Sequence, residues 1–119
     1  MPTSSPTRGE VWLVDYEPVG HTVGREQAGR RPALVISLDS FNHLSDLVLA
    51  VPITRTRRPI SPPRHIPMTP PLGGLRHPST VLCEQVRCLS PARFLRRLGN
   101  VPDSFVDAVV LRLRSLMEP

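Results

Sequence analysis

Histidine, cysteine and carboxylate side chains carry most acid–base, nucleophilic and metal chemistry, and in this sequence they do not group together. The ten acidic residues do not cluster as a two-metal nuclease requires. The two cysteines, Cys83 and Cys88, match neither a redox pair nor a zinc-ligand pair, so we expect buried, reduced thiols. The histidines show no metal-ligand spacing and lie at His21, His43, His65 and His77. The sequence therefore predicts no metal site and no cofactor.

Arginine is the most abundant side chain that could take part in binding or catalysis. All 15 basic residues are Arg, and against ten acidic residues they give a net charge of +5. A guanidinium binds phosphate through two N–H groups and stacks on bases. A small basic domain is suited to nucleic acid or to an acidic protein partner. The alternative is compositional, because an Arg bias with 15 prolines is also typical of a GC-rich genome.

Four sequence blocks follow one another between residues 8 and 88. They are RGEVWLVD (8–15), RPALVIS (31–37), VPIT (51–54) and VLCEQVR (81–87). They resemble the MazF/PemK (Kid) family of type II toxin–antitoxin toxins, whose pattern is RGEVWxVD, a flexible loop, RPAxVxS, VPxTS and a strand bearing EQxR. One block alone would be weak, but four in order, followed by an amphipathic helix, make the resemblance specific. It covers nearly the whole domain.

The resemblance implies a fold and a function. The fold would be mainly β with a C-terminal helix, an SH3-like (CcdB/PemK-type) barrel assembled as a homodimer. The function would be that of a toxin, a metal-independent endoribonuclease that cuts single-stranded RNA at short motifs. A cognate acidic antitoxin would lay an extended tail across the RNA groove. The family's catalytic pair maps onto Arg31, which directly precedes Pro32, and Thr54.

Elementary chemistry supports these two roles. When the 2′-hydroxyl attacks the adjacent phosphorus, negative charge builds on the phosphoryl oxygens, and Arg31 can grip two of them. Thr54 can donate to one oxygen or orient the 2′-hydroxyl. Arginine is a poor base because its pKa stays above about 12, so the enzyme is slow unless another group moves protons. The structural alternatives are an ion pair of Arg31 with Glu10 or Glu84, and an ordinary strand-end role for Thr54.

Six further residues are candidates for RNA binding or support: Glu84, Gln85, Arg8, Arg30, Arg55 and His21. Glu84 is interpreted as an ion-pair partner that positions Arg31 rather than as a general base. Gln85 either contacts a base edge or caps its strand, and His21 lies in the predicted mobile loop. Arg55 stands where the family often has Ser and adds phosphate-binding charge. A proline-rich loop follows it, over residues 59–71, and could reshape the rim of the groove.

These residues must be positioned by short strands. Period-two and apolar runs predict strands at 10–16, 33–37, 47–54, 65–68, 79–89 and 97–100. Strand 79–89 is expected to bend, and Trp12 to lie in the core. Residues 39–44 are expected to form a helical turn capped by Asp39 or Ser40, and residues 90–91 to start another. We predict a disordered tail over residues 1–7, a single toxin domain over 8–119 and a loop over 17–30.

Proline and periodicity refine this pattern. Pro52 cannot donate to a ladder, so its end of the strand is expected at an edge or a bulge. The C-terminal helix, capped by Asp103, should bury one stripe, part of which could face a second subunit. That stripe comprises Phe105, Val106, Val109, Val110, Leu113, Leu116 and Met117.

Two other functions remain open on the same fold. One is a CcdB-like toxin that inhibits DNA gyrase without cutting RNA, and the other is a non-catalytic barrel that binds RNA. The N-terminus lacks the apolar region of a signal peptide, and no stretch is long and apolar enough to cross a membrane. We therefore expect a cytoplasmic protein.

Overall fold

A computed structural model of the chain describes residues 5–16, 29–55 and 64–119. Within these ranges there are seven strands, two helices and three 3-10 turns. The strands and helices are β1 (Glu10–Asp15), β2 (Arg30–Val35), α1 (Asp39–Ser45), β3 (Val48–Arg55), β4 (His65–Met68), β5 (Ser79–Leu82), β6 (Arg87–Leu89), β7 (Phe94–Asn100) and α2 (Asp103–Met117). The 3-10 turns are Leu72–Gly74, Cys83–Gln85 and Pro91–Arg93.

The strands form one antiparallel sheet in the order β4-β5-β3-β2-β1-β7, with β6 paired to the start of β3. The predicted mainly β fold with a C-terminal helix is confirmed. Among the described strands, β4 and β7 end the sheet without pairing with each other, so strand pairing does not close a barrel. The turn Leu72–Gly74, which follows β4, instead packs against the backbone of Leu98 and Gly99 in β7.

Alternation along the strands divides the sheet into two faces. The helix face is covered by α2 and includes Val11, Leu34, Val51, Ile53 and Val81. The second face includes Trp12, Val14, Ala33, Val35 and Ala50. Each face has its own buried cluster, so the strands β1, β2 and β3 are held from both sides.

Helix α2 buries Val106, Val109 and Leu113 against the helix face. The buried part of the predicted stripe ends there, because Leu116 and Met117 are 46% and 74% exposed. The predicted cap was also wrong: Asp103 is the first helical residue, Pro102 precedes it, and no side chain caps the helix. The Asp103 carboxylate still suits the positive end of the helix dipole.

Pro52 lies in the central strand β3, so the predicted edge position was wrong, whereas the predicted irregularity is present beside it. On one flank, β3 pairs with β6 over Val48–Ala50 and with β5 over Ile53–Arg55. Between these two ladders the neighbouring chain leaves the sheet as the turn Cys83–Gln85. This break is also the predicted bend in the long strand 79–89.

The N-terminal segment is anchored where it is described. Pro6 is buried, and its carbonyl accepts a hydrogen bond from Asn42 Nδ2 at 3.4 Å. Of the predicted disordered tail, residues 1–4 lie outside the described residues. So does most of the predicted loop 17–30. No helix in the described parts of the chain has the length and apolar character needed to cross a membrane.

Candidate active site

The candidate catalytic pair lies at the end of the β2–β3 ladder. The last paired positions are Ala33 and Pro52, and continuing this register by two residues sets Arg31 across from Thr54. Their Cα atoms are then about 5 Å apart, and alternation directs both side chains to the second face. Val14 of β1 pairs with Arg31, and Thr80 of β5 pairs with Thr54. Strands on both flanks therefore fix the backbone of the pair.

Exposure differs between the two residues. Arg31 is exposed, whereas Thr54 is half-buried beside the buried Thr80. An exposed guanidinium next to a partly sheltered hydroxyl can receive a phosphate without dismantling the core. This arrangement allows two donor groups to converge on one phosphoryl group.

Glu84 contacts a residue that sequence reasoning did not select. Its Oε2 atom lies 2.9 Å from His65 Nε2, and the two side chains are 29% and 20% exposed. His65 opens β4 and pairs with Leu82, two residues before Glu84. The only sequence signal for it is a histidine at the start of the short extended segment 65–68. The ion pair of Glu84 with Arg31 stays a prediction.

Arg8 lies at the far end of β2 from Arg31. Its guanidinium donates to the Ile36 carbonyl, and its backbone N–H donates to Asp39 Oδ1 at 2.8 Å. Asp39 therefore binds Arg8 rather than capping α1, which starts after Leu38 without a side-chain cap. These bonds tie the start of β1 to the end of β2, so Arg8 supports the sheet.

Arg30 and Arg55 flank the candidate pair but alternate to the opposite side of the sheet. Arg30 pairs with Asp15, Arg55 pairs with Ser79, and both are exposed. Gln85 is half-buried in the 3-10 turn beside Glu84. His21 lies outside the described residues. Alternation thus directs Arg31 and Thr54 towards the second face, and Arg30 and Arg55 towards the opposite side.

The aromatic residues of the second face have structural partners. Trp12 is buried, donates from Nε1 to Glu10 Oε1 at 3.0 Å and meets Phe94 edge to face at 6.1 Å. Its predicted core position is confirmed. Tyr16 is fully buried beneath the Arg87 guanidinium, which lies 5.6 Å from the ring centroid. Burial raises the pKa of the Tyr16 hydroxyl well above its ordinary value, so Tyr16 stays neutral.

The two thiols differ in environment, and both are free. Cys83 is buried as predicted, and burial, followed by the neighbouring Glu84 charge, raises its pKa to about 11. Cys88 is exposed, so its predicted burial was wrong. It pairs with Leu49 in the short ladder of β6 with β3. Within the described ranges, no three His, Cys, Asp or Glu side chains are grouped so as to hold a metal ion.

Comparison with known proteins identifies one family. The model described as "PemK-like, MazF-like toxin of type II toxin-antitoxin system" matches residues 7–117. "Endoribonuclease PemK" of Escherichia coli is 32% identical over 111 residues, 92% of this chain and 80% of the relative. "Endoribonuclease EndoA" of Bacillus subtilis is 32% identical over 102 residues, 86% of this chain and 85% of the relative. A MazE–MazF crystal structure from Deinococcus radiodurans matches with a TM-score of 0.74 and 29% identity, covering 97% of each chain.

Proposed function

Because the chain belongs to the PemK-like, MazF-like toxin family of type II toxin–antitoxin systems, we propose that it is an endoribonuclease. Its substrate is single-stranded RNA, cut at short motifs without a metal ion. One observation supports this proposal: the β2–β3 register, if it is continued two residues beyond its last pair, Ala33 with Pro52, would set Arg31 across from Thr54. The related PemK and EndoA proteins are both named endoribonucleases.

The reaction follows from the two side chains. The ribose 2′-oxygen gives its proton to water and bonds to the adjacent phosphorus. The bond from phosphorus to the 5′-oxygen breaks and the 5′-oxygen takes a proton from water, leaving a 2′,3′-cyclic phosphate and a 5′-hydroxyl. Arg31 binds two phosphoryl oxygens as their negative charge grows. The Thr54 hydroxyl donates to one of these oxygens or orients the 2′-hydroxyl. Both side chains stabilise charge and geometry, and neither readily accepts a proton at neutral pH.

The surroundings of the pair supply general affinity for RNA. Arg30, Arg55 and Arg64 are exposed on the strands and turn nearby. Each contact between such a guanidinium and a phosphate displaces a counterion, so binding should weaken steeply with salt. In this proposal Gln85 contacts a base edge, the alternative being that it caps its strand.

We also assign the partners, the closure of the fold and the location as parts of this proposal. A cognate acidic antitoxin binds the exposed arginines around the candidate pair, as the paired MazE and MazF names suggest for the Deinococcus radiodurans proteins. The turn Leu72–Gly74 against β7 completes an SH3-like barrel. The protein acts in the cytoplasm as a homodimer, and the exposed apolar residues of and beside α1 suit a subunit contact; they are Leu38, Phe41, Leu44 and Leu47. Light scattering of the purified chain tests the dimer.

The test of the activity is incubation of purified, antitoxin-free protein with a long single-stranded RNA in EDTA, followed by mapping of the cut ends. We expect discrete cuts at a short recurring sequence, with 2′,3′-cyclic phosphate and 5′-hydroxyl ends. Loss of cleavage on chelation would contradict the metal-free mechanism. A folded sample that cuts no RNA would favour gyrase inhibition or RNA binding without cleavage, and a gyrase supercoiling assay would separate those two.

A further inference from the structure

Arg31 can bind a phosphoryl group in one geometry only if the strand that carries it is held firmly at its exposed end. We propose that Arg93 is a positioning residue for the reaction, because its guanidinium fixes the end of β1 and β1 in turn fixes Arg31. This inference rests on the proposed function and adds to it a residue that acts through Arg31. The observation behind it is that Arg93 Nη1 donates to two consecutive carbonyls, those of Asp15, at 3.1 Å, and Tyr16.

These two carbonyls lie just past the point where β7 stops pairing with β1. The last backbone pair of the two strands is Val14 with Phe94, the first residue of β7. Backbone carbonyls beyond such a pair need other donors. The Arg93 side chain supplies them to Asp15 and Tyr16, and a charged donor makes a stronger hydrogen bond than a neutral amide. Arg93 thereby extends the support of β1 by two residues.

On its other flank, the same end of β1 is bonded to the part of β2 that carries Arg31. Val14 pairs with Arg31, and the Tyr16 N–H donates to the Gly29 carbonyl at 3.0 Å. Because hydrogen-bonded strands lie only about 4.8 Å apart, a displacement of Tyr16 is passed to Gly29 and so to Arg31, two residues further along β2. Arg93 therefore acts on the position of Arg31 through hydrogen-bonded backbone.

The two members of the candidate pair depend on different strands for their position. The pairs of β2 with β3 end at Ala33, two residues from Arg31, whereas the pairs of β2 with β1 continue past Arg31 to Arg30. Thr54 is held separately, by its pair with Thr80 of β5. A movement of the end of β1 would therefore change the separation of Arg31 from Thr54. A misplacement of about 1 Å between reacting groups can slow a reaction by about 100-fold.

Arg93 is itself held by a short turn and by the core. It ends the 3-10 turn Pro91–Arg93, where its N–H donates to the Ser90 carbonyl at 3.0 Å. The Ser90 hydroxyl accepts from the Ala92 N–H at 3.3 Å, and the proline at the start of the turn restricts the backbone. Phe94, the next residue, is buried in the cluster of the second face. The backbone of Arg93 is therefore a fixed point from which its side chain reaches β1.

The decisive measurement is a double-mutant cycle on the single-turnover cleavage rate at saturating RNA, for wild type, Arg93→Ala, Arg31→Ala and the double variant. Arg93→Ala should slow cleavage by about 10–100-fold while the Kd for RNA changes by less than about threefold. In the Arg31→Ala background, Arg93→Ala should slow the residual cleavage by less than about threefold, because no guanidinium remains to be misplaced. A role in stability alone, or direct contact of Arg93 with RNA, would give the same factor in both backgrounds.

Two further variants separate lost positioning from lost charge and lost folding. The ammonium of Arg93→Lys can still donate to both carbonyls, so this variant should cleave within about fivefold of wild type. If Arg93→Ala does not fold, Arg93→Gln takes its place in the cycle.

Arg97→Ala is the matched control, since Arg97 also lies on β7 but its Nη1 donates to Asn100 Oδ1 at 3.1 Å. It should cleave at the wild-type rate. Hydrogen exchange adds a readout that needs no RNA: the Tyr16 amide should exchange at least about tenfold faster in Arg93→Ala than in Arg97→Ala, because the end of β1 is released.

Failure of the inference and failure of the proposed function give different results. If wild type cuts RNA and Arg31→Ala is slow, but Arg93→Ala cuts within about threefold of wild type or loses the same factor in both backgrounds, the role of Arg93 is overturned and the proposed function stands. Unchanged exchange of the Tyr16 amide in Arg93→Ala would overturn that role as well. If wild type itself cuts no RNA, the proposed function is overturned and the inference falls with it.

Discussion

The two faces of the sheet are built from alternate residues of the same strands, yet their chemistry differs. Ile53 is buried under α2, whereas Thr54, the next residue, is half-buried on the other face and belongs to the candidate catalytic pair. The buried cluster of the helix face consists of aliphatic residues, Met68 and one thiol, Cys83. The second face combines a buried aromatic and aliphatic cluster with Arg31, Thr54, His65 and Glu84 towards its exposed part. Stability and chemistry therefore depend on neighbouring residues of one ladder.

This division explains why the register matters so much. A slip of one residue in β2 or β3 would exchange the faces, burying Arg31 and exposing Leu34 and Ile53. The two buried clusters oppose such a slip, because each would lose its apolar surface. The helix face would thereby position the candidate site on the other face. Substitutions should accordingly affect activity or stability, but seldom both.

The largest expected effect is on the second face. Arg31→Ala should lower the cleavage rate by on the order of 10³-fold, because the growing phosphoryl charge loses its guanidinium. Arg31→Lys should recover only part of this loss, since an ammonium cannot bind two oxygens as a fork. The free energy of unfolding should change by less than about 0.5 kcal/mol because Arg31 is exposed. Cleavage assays and urea melts measure the two quantities.

Arg114→Ala is the control for that experiment. Arg114 is exposed on α2, where its Nε lies 3.1 Å from Glu118 Oε1 in a surface ion pair. It should cleave RNA like wild type. Equal loss of activity in Arg31→Ala and Arg114→Ala would mean that general positive charge, rather than the site, governs cleavage.

The next largest expected effect is a loss of stability caused by a substitution on the helix face. Leu34 is fully buried three residues along β2 from Arg31. Leu34→Ala should lower the free energy of unfolding by about 2–5 kcal/mol, through lost apolar burial and a residual cavity. Below the melting temperature, the rate of cleavage by the folded fraction should be retained. Leu111→Ala is the matched control, because Leu111 on α2 is 58% exposed and its truncation should change stability by less than about 0.5 kcal/mol.

The opposite results for these two variants would contradict the division of the sheet into a stabilising face and a face that carries the candidate site. If Leu34→Ala were folded and as stable as wild type but inactive, the helix face would take part in chemistry. If Leu111→Ala were strongly destabilised, the outer side of α2 would be covered rather than exposed.

A smaller effect is expected where the two ends of the sheet meet. Gly74 has a φ of +76°, and a Cβ there would overlap the carbonyl oxygen of Leu98. Gly74→Ala should therefore destabilise the fold by about 2–4 kcal/mol, the sum of backbone strain and overpacking. Gly9 has a similar φ of +89°, but its Cβ would lie 3.5 Å from the nearest atom. Gly9→Ala should cost only the backbone strain, about 1–2 kcal/mol.

Equal losses from Gly74→Ala and Gly9→Ala in thermal melts would contradict this account. They would mean that the turn Leu72–Gly74 does not press on β7. The closing contact of the sheet would then be too loose to act as the seam of a barrel.

Most of the fold could be predicted because its signals are local. Alternation in β1, the apolar run of β2 and the helical periodicity of α2 are all encoded within single segments. The ends of elements were less predictable, since the buried part of α2 ends at Leu113, before its last apolar residues, Leu116 and Met117. Cys88 shows the same limit, because its exposure follows from the short β6 ladder at the margin of the sheet.

The candidate site was predictable only in part. Arg31 and Thr54 stand in sequence blocks that point to them, and antiparallel pairing then sets them opposite each other. His65 and Glu84 are 19 residues apart, and they meet only because β4 and β5 pair and the chain then turns. Neither residue type nor local spacing reveals that contact. The hydrogen bond from the Arg8 backbone to Asp39 likewise joins residues that are far apart in the sequence, so local patterns do not reveal it.

The smallest expected effect compares one thiol from each environment. With excess iodoacetamide at pH 8, Cys88 should react quickly because it is exposed, whereas Cys83 should react slowly because it is buried and its pKa is about 11. Only about one part in a thousand of Cys83 would be thiolate at that pH. Cys88→Ser should remove the fast phase alone, and modification of Cys88 should leave cleavage unchanged. Comparable rates for both thiols in the folded protein would mean that the helix face opens readily, so that burial there does not hold the register on which the site depends.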